Sequence, residues 1–195
     1  MPLALDVNEK KQIVHQLFTV FRDRGFEGAS LADLSRATGL GKSSLYHHFP
    51  GGKAQMVEAV LAQVKAAVQE AISEVADSPE SLSVRVRKIV EAIEIIYEGG
   101  KIPCVPGKLA GSSVCGKARK ILSEVFDLWL GAIADLARDS GMSAEHARHF
   151  SEDWVAQMQG AFVLYAANGN TGPFERACAS LEKLARCRSK LGGKS

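Results

Sequence analysis

The chain has little of what a secreted, membrane-spanning or metal-built protein needs. Its 195 residues hold four cysteines, Cys104, Cys115, Cys178 and Cys187, and no CxxC pair. No histidine lies at zinc-finger spacing from a cysteine pair, so that kind of metal site is excluded. Cys178 and Cys187 fall on one predicted helix. At about 100° per residue they face opposite sides and cannot be bridged within it. The cysteines are therefore read as thiols, and a redox role for Cys104 or Cys115 would need an accessible, electropositive setting. No apolar run reaches membrane-spanning length. Asp6, Glu9, Lys10 and Lys11 interrupt residues 1–12, which leaves no leader-peptide core. A cytoplasmic location with no membrane partner is the expectation. HExxH, a nucleophile elbow and a phosphate loop are all missing. We therefore predict no catalytic residue, no cofactor and no metal ligand. Strand alternation and internal repeats are absent too.

Net charge is small as well, at +2. Affinity for a polyanion would have to come from a local patch. One local absence supplies it. Between Asp33 and Glu58 there is no acidic residue, while Arg36, Lys42, Lys53, His47 and His48 fall inside that interval. A surface without carboxylates suits nucleic acid.

The same interval carries the most ordered signal in the chain, SLADLSRATGLGKSSLYHHFPGGK from Ser30 to Lys53. Ser30 is placed to cap a short helix. Leu31, Leu34 and Ala37 lie on its inner side. Gly39-Leu40-Gly41 breaks that helix. A second short helix runs from Lys42 to about Phe49, with Leu45 and Phe49 inward. Lys42, Ser43, Ser44, Tyr46 and His47 point out. Two short helices joined by a glycine turn make a helix-turn-helix. Its second helix enters a major groove with its first residues on base edges. Lys42, Ser43 and Ser44 are assigned to bases, since lysine reaches guanine acceptors and serine bonds either way. Tyr46, His47, Ser30 and Lys53 are assigned to the DNA backbone. An ordinary two-helix corner is the alternative to which the turn alone gives equal weight.

The remaining chain reads as helices throughout. A helix over Val7–Arg24 carries Ile13, Leu17 and Phe21 on one row and ends at Gly25, with residues 1–6 a loose arm. A long helix starts at Lys53 and runs to about Val75. Another spans Ser81–Tyr97, with Val86, Ile89, Val90, Ile93 and Ile96 apolar. Residues 102–116 hold two prolines and no period, and read as loop with a short helical turn. Helices follow over Ile121–Arg138, from a cap at Ser143 to about Asn168, and from Pro173 to about Leu191. The basic tail Lys183, Arg186, Arg188, Lys190 and Lys194 reads as a solvated end. His146 and His149 sit with Glu145, Glu152 and Asp153 on one helix, where His149 can pair with Glu145 or Asp153 on a solvated face. Tyr97, Phe126, Trp129, Trp154, Met158, Phe162 and Tyr165 either line an apolar ligand cavity or fill a core; helical spacing does not separate the two.

The order GFEGASLADLSRATGLGKSSLYHHFPGGK resembles the DNA-binding domain of the TetR family of transcriptional repressors over roughly residues 8–60. Pro-Gly-Gly-Lys before the next helix resembles a subgroup typified by repressors of multidrug efflux genes. The family commonly has Ser or Thr where this chain has Gly41, and often Gly where it has Ser43. The resemblance implies an all-α fold: a three-helix DNA-binding domain over 1–53, then a helical ligand-binding and dimerisation domain over 54–195, bridged by the fourth helix. It implies a homodimer through the last two long helices, binding double-stranded palindromic operator DNA. It also favours a cavity for a small hydrophobic inducer lined by the seven aromatic and methionine residues above. A helical enzyme or a protein-only adaptor using the C-terminal half is the alternative.

Overall fold

In the computed structural model, residues 7–191 are described, with side chains from Lys10 to Ala185. The predicted arm 1–6 and the tail residues Arg186, Cys187, Arg188, Lys190 and Lys194 lie outside the described side chains. Every regular element is a helix among the described residues. The chain forms two compact units. One holds the chain up to Ala66 together with Val105–Val125; the other holds Ala67–Cys104 and the chain from Phe126.

The first unit contains α1 (Val7–Gly28), α2 (Leu31–Thr38), α3 (Lys42–His48), α4 (Gly52–Val68) up to Ala66, α7 (Val105–Ala110) and the head of α8 (Gly116–Asp139). Leu17, Phe21, Leu34 and Leu45 are fully enclosed, with Phe49, Met56, Val57, Val60 and Leu61 beside them in the core. Three short helices alone bury little surface. Here α7 and the head of α8 add Val105, Leu109, Val114, Ala118 and Leu122 to the buried set. α1 packs on both α2 and α7. Gly25 leaves helical geometry (φ 68°, ψ −172°), so the long first segment of α1 ends there as expected, and a short second segment runs on to Gly28.

The second unit contains α5 (Glu74–Ala76), α6 (Leu82–Ile96), the rest of α8, α9 (Ala144–Asn168) and α10 (Gly172–Leu191), with α10 packed on α6 and α9. Ser81 caps α6 and Ser143 caps α9 through bonds from the amides of Val84 and His146. α4 was expected to run unbroken to Val75. Instead a π-helical turn, Gln69–Ser73, follows it. α8 starts at Gly116, a turn before its predicted start at Ile121. Buried Arg85 in α6 donates to the carbonyl of Ala76 and, at 2.5 Å, to Asp139. It thereby ties the buried carbonyl end of α5 to the end of α8.

Two predicted inward residues are exposed, Ala37 and Ile96. In both cases the i+4 neighbour of the last core residue takes the inner place instead of the i+3 one. Thr38 turns in, its hydroxyl donating to the Leu34 carbonyl at 2.8 Å. Tyr97 turns in and packs its ring on Phe162, with centroids 4.6 Å apart.

Candidate nucleic-acid interface

α2 begins with a reciprocal cap. The Ser30 hydroxyl accepts from the Asp33 amide at 3.1 Å, and the Ser30 amide donates to the Asp33 carboxylate at 3.2 Å. The Ser30 hydroxyl also donates to that carboxylate at 2.6 Å. Its hydrogen bonding is thus spent on the cap, which fixes where α2 starts. These bonds from Ser30 hold the Asp33 carboxyl below its usual range, helped by Arg24 and Arg36 nearby. The last carboxylate before the acid-free stretch is thus ionised and paired with Arg24 of α1 and Arg36 of α2.

The turn is fixed by hydroxyls and by one left-handed glycine. Gly39 closes α2 at φ 67°. Ser35 donates to the Leu40 carbonyl, and the Thr38 hydroxyl accepts from the Leu40 amide. α3 then starts at Gly41 without a side-chain cap. Leu45 and Phe49 are buried, whereas Lys42, Ser43, Ser44, Tyr46 and His47 are exposed together on α3. Tyr46 leans over Gly52, where an added Cβ would meet its ring at 3.4 Å. That is an ordinary contact distance; what favours glycine at this position is its φ of 63°.

Lys53, assigned to the DNA backbone from sequence, also makes bonds within the chain. Its ammonium donates to the carbonyls of Phe26 at 2.8 Å and Ala29 at 3.2 Å, and lies 4.6 Å from the Phe26 ring centre. Two of its N–H bonds therefore serve the end of α1. The signal for this was the exit of α1 itself, where carbonyls beyond a kink need donors.

In the second unit, five of the seven predicted ligand residues come together: Tyr97, Trp129, Trp154, Met158 and Phe162, joined by Val155 and Gln159. Phe126 and Tyr165 do not line this cluster. The space enclosed is about 10 Å³, room for about one water. Trp129 stacks on Trp154 at 6.0 Å, and the Trp154 indole donates to the Ala177 carbonyl at 2.8 Å. The Tyr97 hydroxyl donates to the Cys104 sulfur at 3.6 Å. Burial, then the neighbouring Cys104, push the Tyr97 phenol well above its ordinary pKa, so it stays neutral. The rings fill the site in this state.

Residues 13–60 match the family described as bacterial regulatory proteins, tetR family, and residues 101–180 match the C-terminal domain of LmrA/YxaF-like transcriptional regulators. The uncharacterized HTH-type transcriptional regulator YxaF of Bacillus subtilis is 23% identical over 92% of this chain and 96% of its own length. The HTH-type transcriptional regulator LmrA of the same organism is 21% identical over 92% and 97%. The chain belongs to the TetR family, as a regulator of the LmrA type. A TetR transcriptional regulator from Legionella pneumophila has the same fold, with a TM-score of 0.80 at 17% identity over 94% of this chain and 98% of that one.

The α9 histidines of this TetR-family regulator follow neither predicted pairing. His146 bonds the Ser143 hydroxyl at 2.9 Å, and His149 lies 2.7 Å from Arg148. Arg148 also holds Glu152. A polar recess of about 480 Å³ beside Asp77–Glu80 and the end of α8 has most of its charges paired: Arg85 with Asp139, Arg138 with Asp135, and Glu80 with Lys88. No helix among the described residues is long and apolar enough to cross a membrane, and no group among them could hold a metal ion.

Proposed function

We propose that this regulator is a homodimeric repressor that reads palindromic operator DNA through α3 and leaves it when an apolar small molecule enters the second unit. The observation that carries the DNA reading is the exposed, acid-free face of Lys42, Ser43, Ser44, Tyr46 and His47, set on a helix-turn-helix whose α2 is capped at both ends. Lys42, Ser43 and Ser44 meet base edges, and Tyr46 and His47 meet phosphate. Ser30 and Lys53 serve the interface by fixing the entry of α2 and the exit of α1, with any phosphate contact secondary to those bonds. Exposed Val163 and Leu164 on α9 support a dimer through α9 and α10. Two copies on a palindrome present two α3 helices to major grooves about 34 Å apart.

The aromatic cluster supports the ligand reading by chemistry rather than by volume. Rings and methionine with Gln159 and Tyr97 as polar tips suit a hydrophobic molecule. With about 10 Å³ enclosed, binding requires the rings to part. Ligand and DNA then oppose each other, and the coupling is reciprocal. The test is a binding titration against DNA upstream of the protein's own gene at several salt concentrations. Wild type binds one sequence selectively, with affinity falling as salt rises. Lys42→Ala shifts base preference by about 1–3 kcal/mol at its contact. Binding that is indifferent to sequence and salt would sink the repressor reading.

A further inference from the structure

The kink at Gly25 divides α1 into two segments, and a lysine from elsewhere in the first unit serves each. A straight helix satisfies its carbonyls internally, but a break frees those around it. Before the kink, the Lys108 ammonium donates to the carbonyl of Asp23 at 2.6 Å and to that of Arg22 at 3.0 Å. Beyond it, Lys53 takes the carbonyls of Phe26 and Ala29. Lys108 belongs to α7 and Lys53 to α4, so the two cations reach one helix end from different elements. A third tie runs beside them. The Ser113 amide donates to the Glu27 carboxylate at 2.6 Å, and that bond holds the Glu27 carboxyl below its ordinary range. The Lys108 stem also lies along Gly25, where an added Cβ would sit 3.7 Å from its Cε.

We propose that Lys108 is a positioning residue for DNA recognition, acting through the end of α1. Ala29 is the residue before the Ser30 cap, so the direction in which α1 ends sets where α2 begins. α2 in turn carries α3. A cation at a helix's carbonyl end is favoured by the dipole as well as by the bonds themselves. Lys108 lies in the region matched by the C-terminal family domain, residues 101–180, yet its bonds are made inside the unit that holds the helix-turn-helix. No base or phosphate contact is assigned to it.

This inference rests on the α3 reading above, so its test carries a control for that reading. Binding of wild type, Lys108→Met, Lys108→Arg and Lys42→Ala is measured by fluorescence anisotropy on a duplex selected in vitro with the wild-type protein, across salt. Lys108→Met keeps the stem and loses the ammonium. It should weaken binding about tenfold with the salt slope unchanged, and Lys108→Arg should restore most of the affinity. Unchanged affinity in Lys108→Met, or no rescue by Arg, overturns the proposal. So does a reduced salt slope in Lys108→Met, which would make it a phosphate contact. If Lys42→Ala leaves base preference intact, the α3 reading fails instead. Should Lys108→Met not fold by circular dichroism, Lys108→Gln is substituted and judged by the same criteria.

Discussion

At the scale of single residues, two positions make sharp tests. Gly100 has φ 89°, and a Cβ there would lie 2.6 Å from the Phe174 ring and 2.7 Å from its Cβ. Phe174 is fully buried, so it has nowhere to go. Gly100→Ala should cost about 2–4 kcal/mol in urea unfolding, from backbone strain and overpacking together. In the sequence the predicted helix simply ends at Tyr97; the ring beneath Gly100 comes from a residue 74 positions on, a contact no local pattern carries. The cysteines differ in the same way. Cys115 is exposed and Cys178 is buried. Burial, then the charges of Glu94 and Glu182, push the Cys178 thiol up to about 12. Thiolate is the reactive form, so at neutral pH Cys178 should resist iodoacetamide in native protein while Cys115 labels first. Mass spectrometry of timed digests reads this directly. Equal labelling rates would contradict the placement of Cys178.

At the scale of elements, local signals were enough wherever a cap or a left-handed glycine decided the outcome. Ser30, Ser81 and Ser143 each stand at the start of a helix, and Gly39 and Gly169 each close one in the left-handed region. Inward rows failed by one position at helix ends, at Ala37 and Ile96, because three and four residues are both near one turn. The π turn at Gln69–Ser73 had no signal in the apolar spacing, since it inserts a single residue into a helix that stays helical. The exposed α3 face was legible because it depends on residues within a few positions of each other. The lysine ties to α1 were not, because Lys108 lies in the least periodic stretch of the chain. In the helix-turn-helix, α3 is left short of a local bond: it starts at Gly41 without a side-chain acceptor. Gly41 has φ −66° and ψ 159°, and an added Cβ there meets nothing within 4 Å. Gly41→Ser should therefore stabilise the protein by about 0.5–1 kcal/mol, through a new cap and a less flexible unfolded chain. Thermal unfolding measures it, and a lower midpoint would mean that Ser cannot take up the cap geometry.

At the scale of the whole molecule, one α3 reads few base pairs, and the dimer proposed above would double that readout on a palindrome. The single chain carries an exposed apolar pair that such a dimer would cover. On α9, Val163 is 68% exposed and Leu164 46% exposed, on a helix whose opposite side buries Trp154, Met158 and Phe162. Helical spacing alone does not distinguish an apolar face turned into the chain from one turned to another copy. The fold divides them: Trp154, Met158 and Phe162 are internal, whereas Val163 and Leu164 are left outside. A double change, Val163→Glu with Leu164→Glu, alters only exposed side chains, so helicity by circular dichroism should be unchanged. Placed at a two-fold interface, the new charges meet their own copies and lose water, which disfavours association. Sedimentation should then give the mass of one chain, 20.9 kDa, where wild type gives twice that. Affinity for a full palindrome should fall towards that for a half-site, while base preference within each half-site persists, because α3 is untouched. A wild-type protein that sediments as one chain would refute the dimer, and a double variant that still pairs would move the dimer contact away from this end of α9. If the variant becomes monomeric and still prefers the full palindrome over a half-site, the dependence of selectivity on the second copy is wrong.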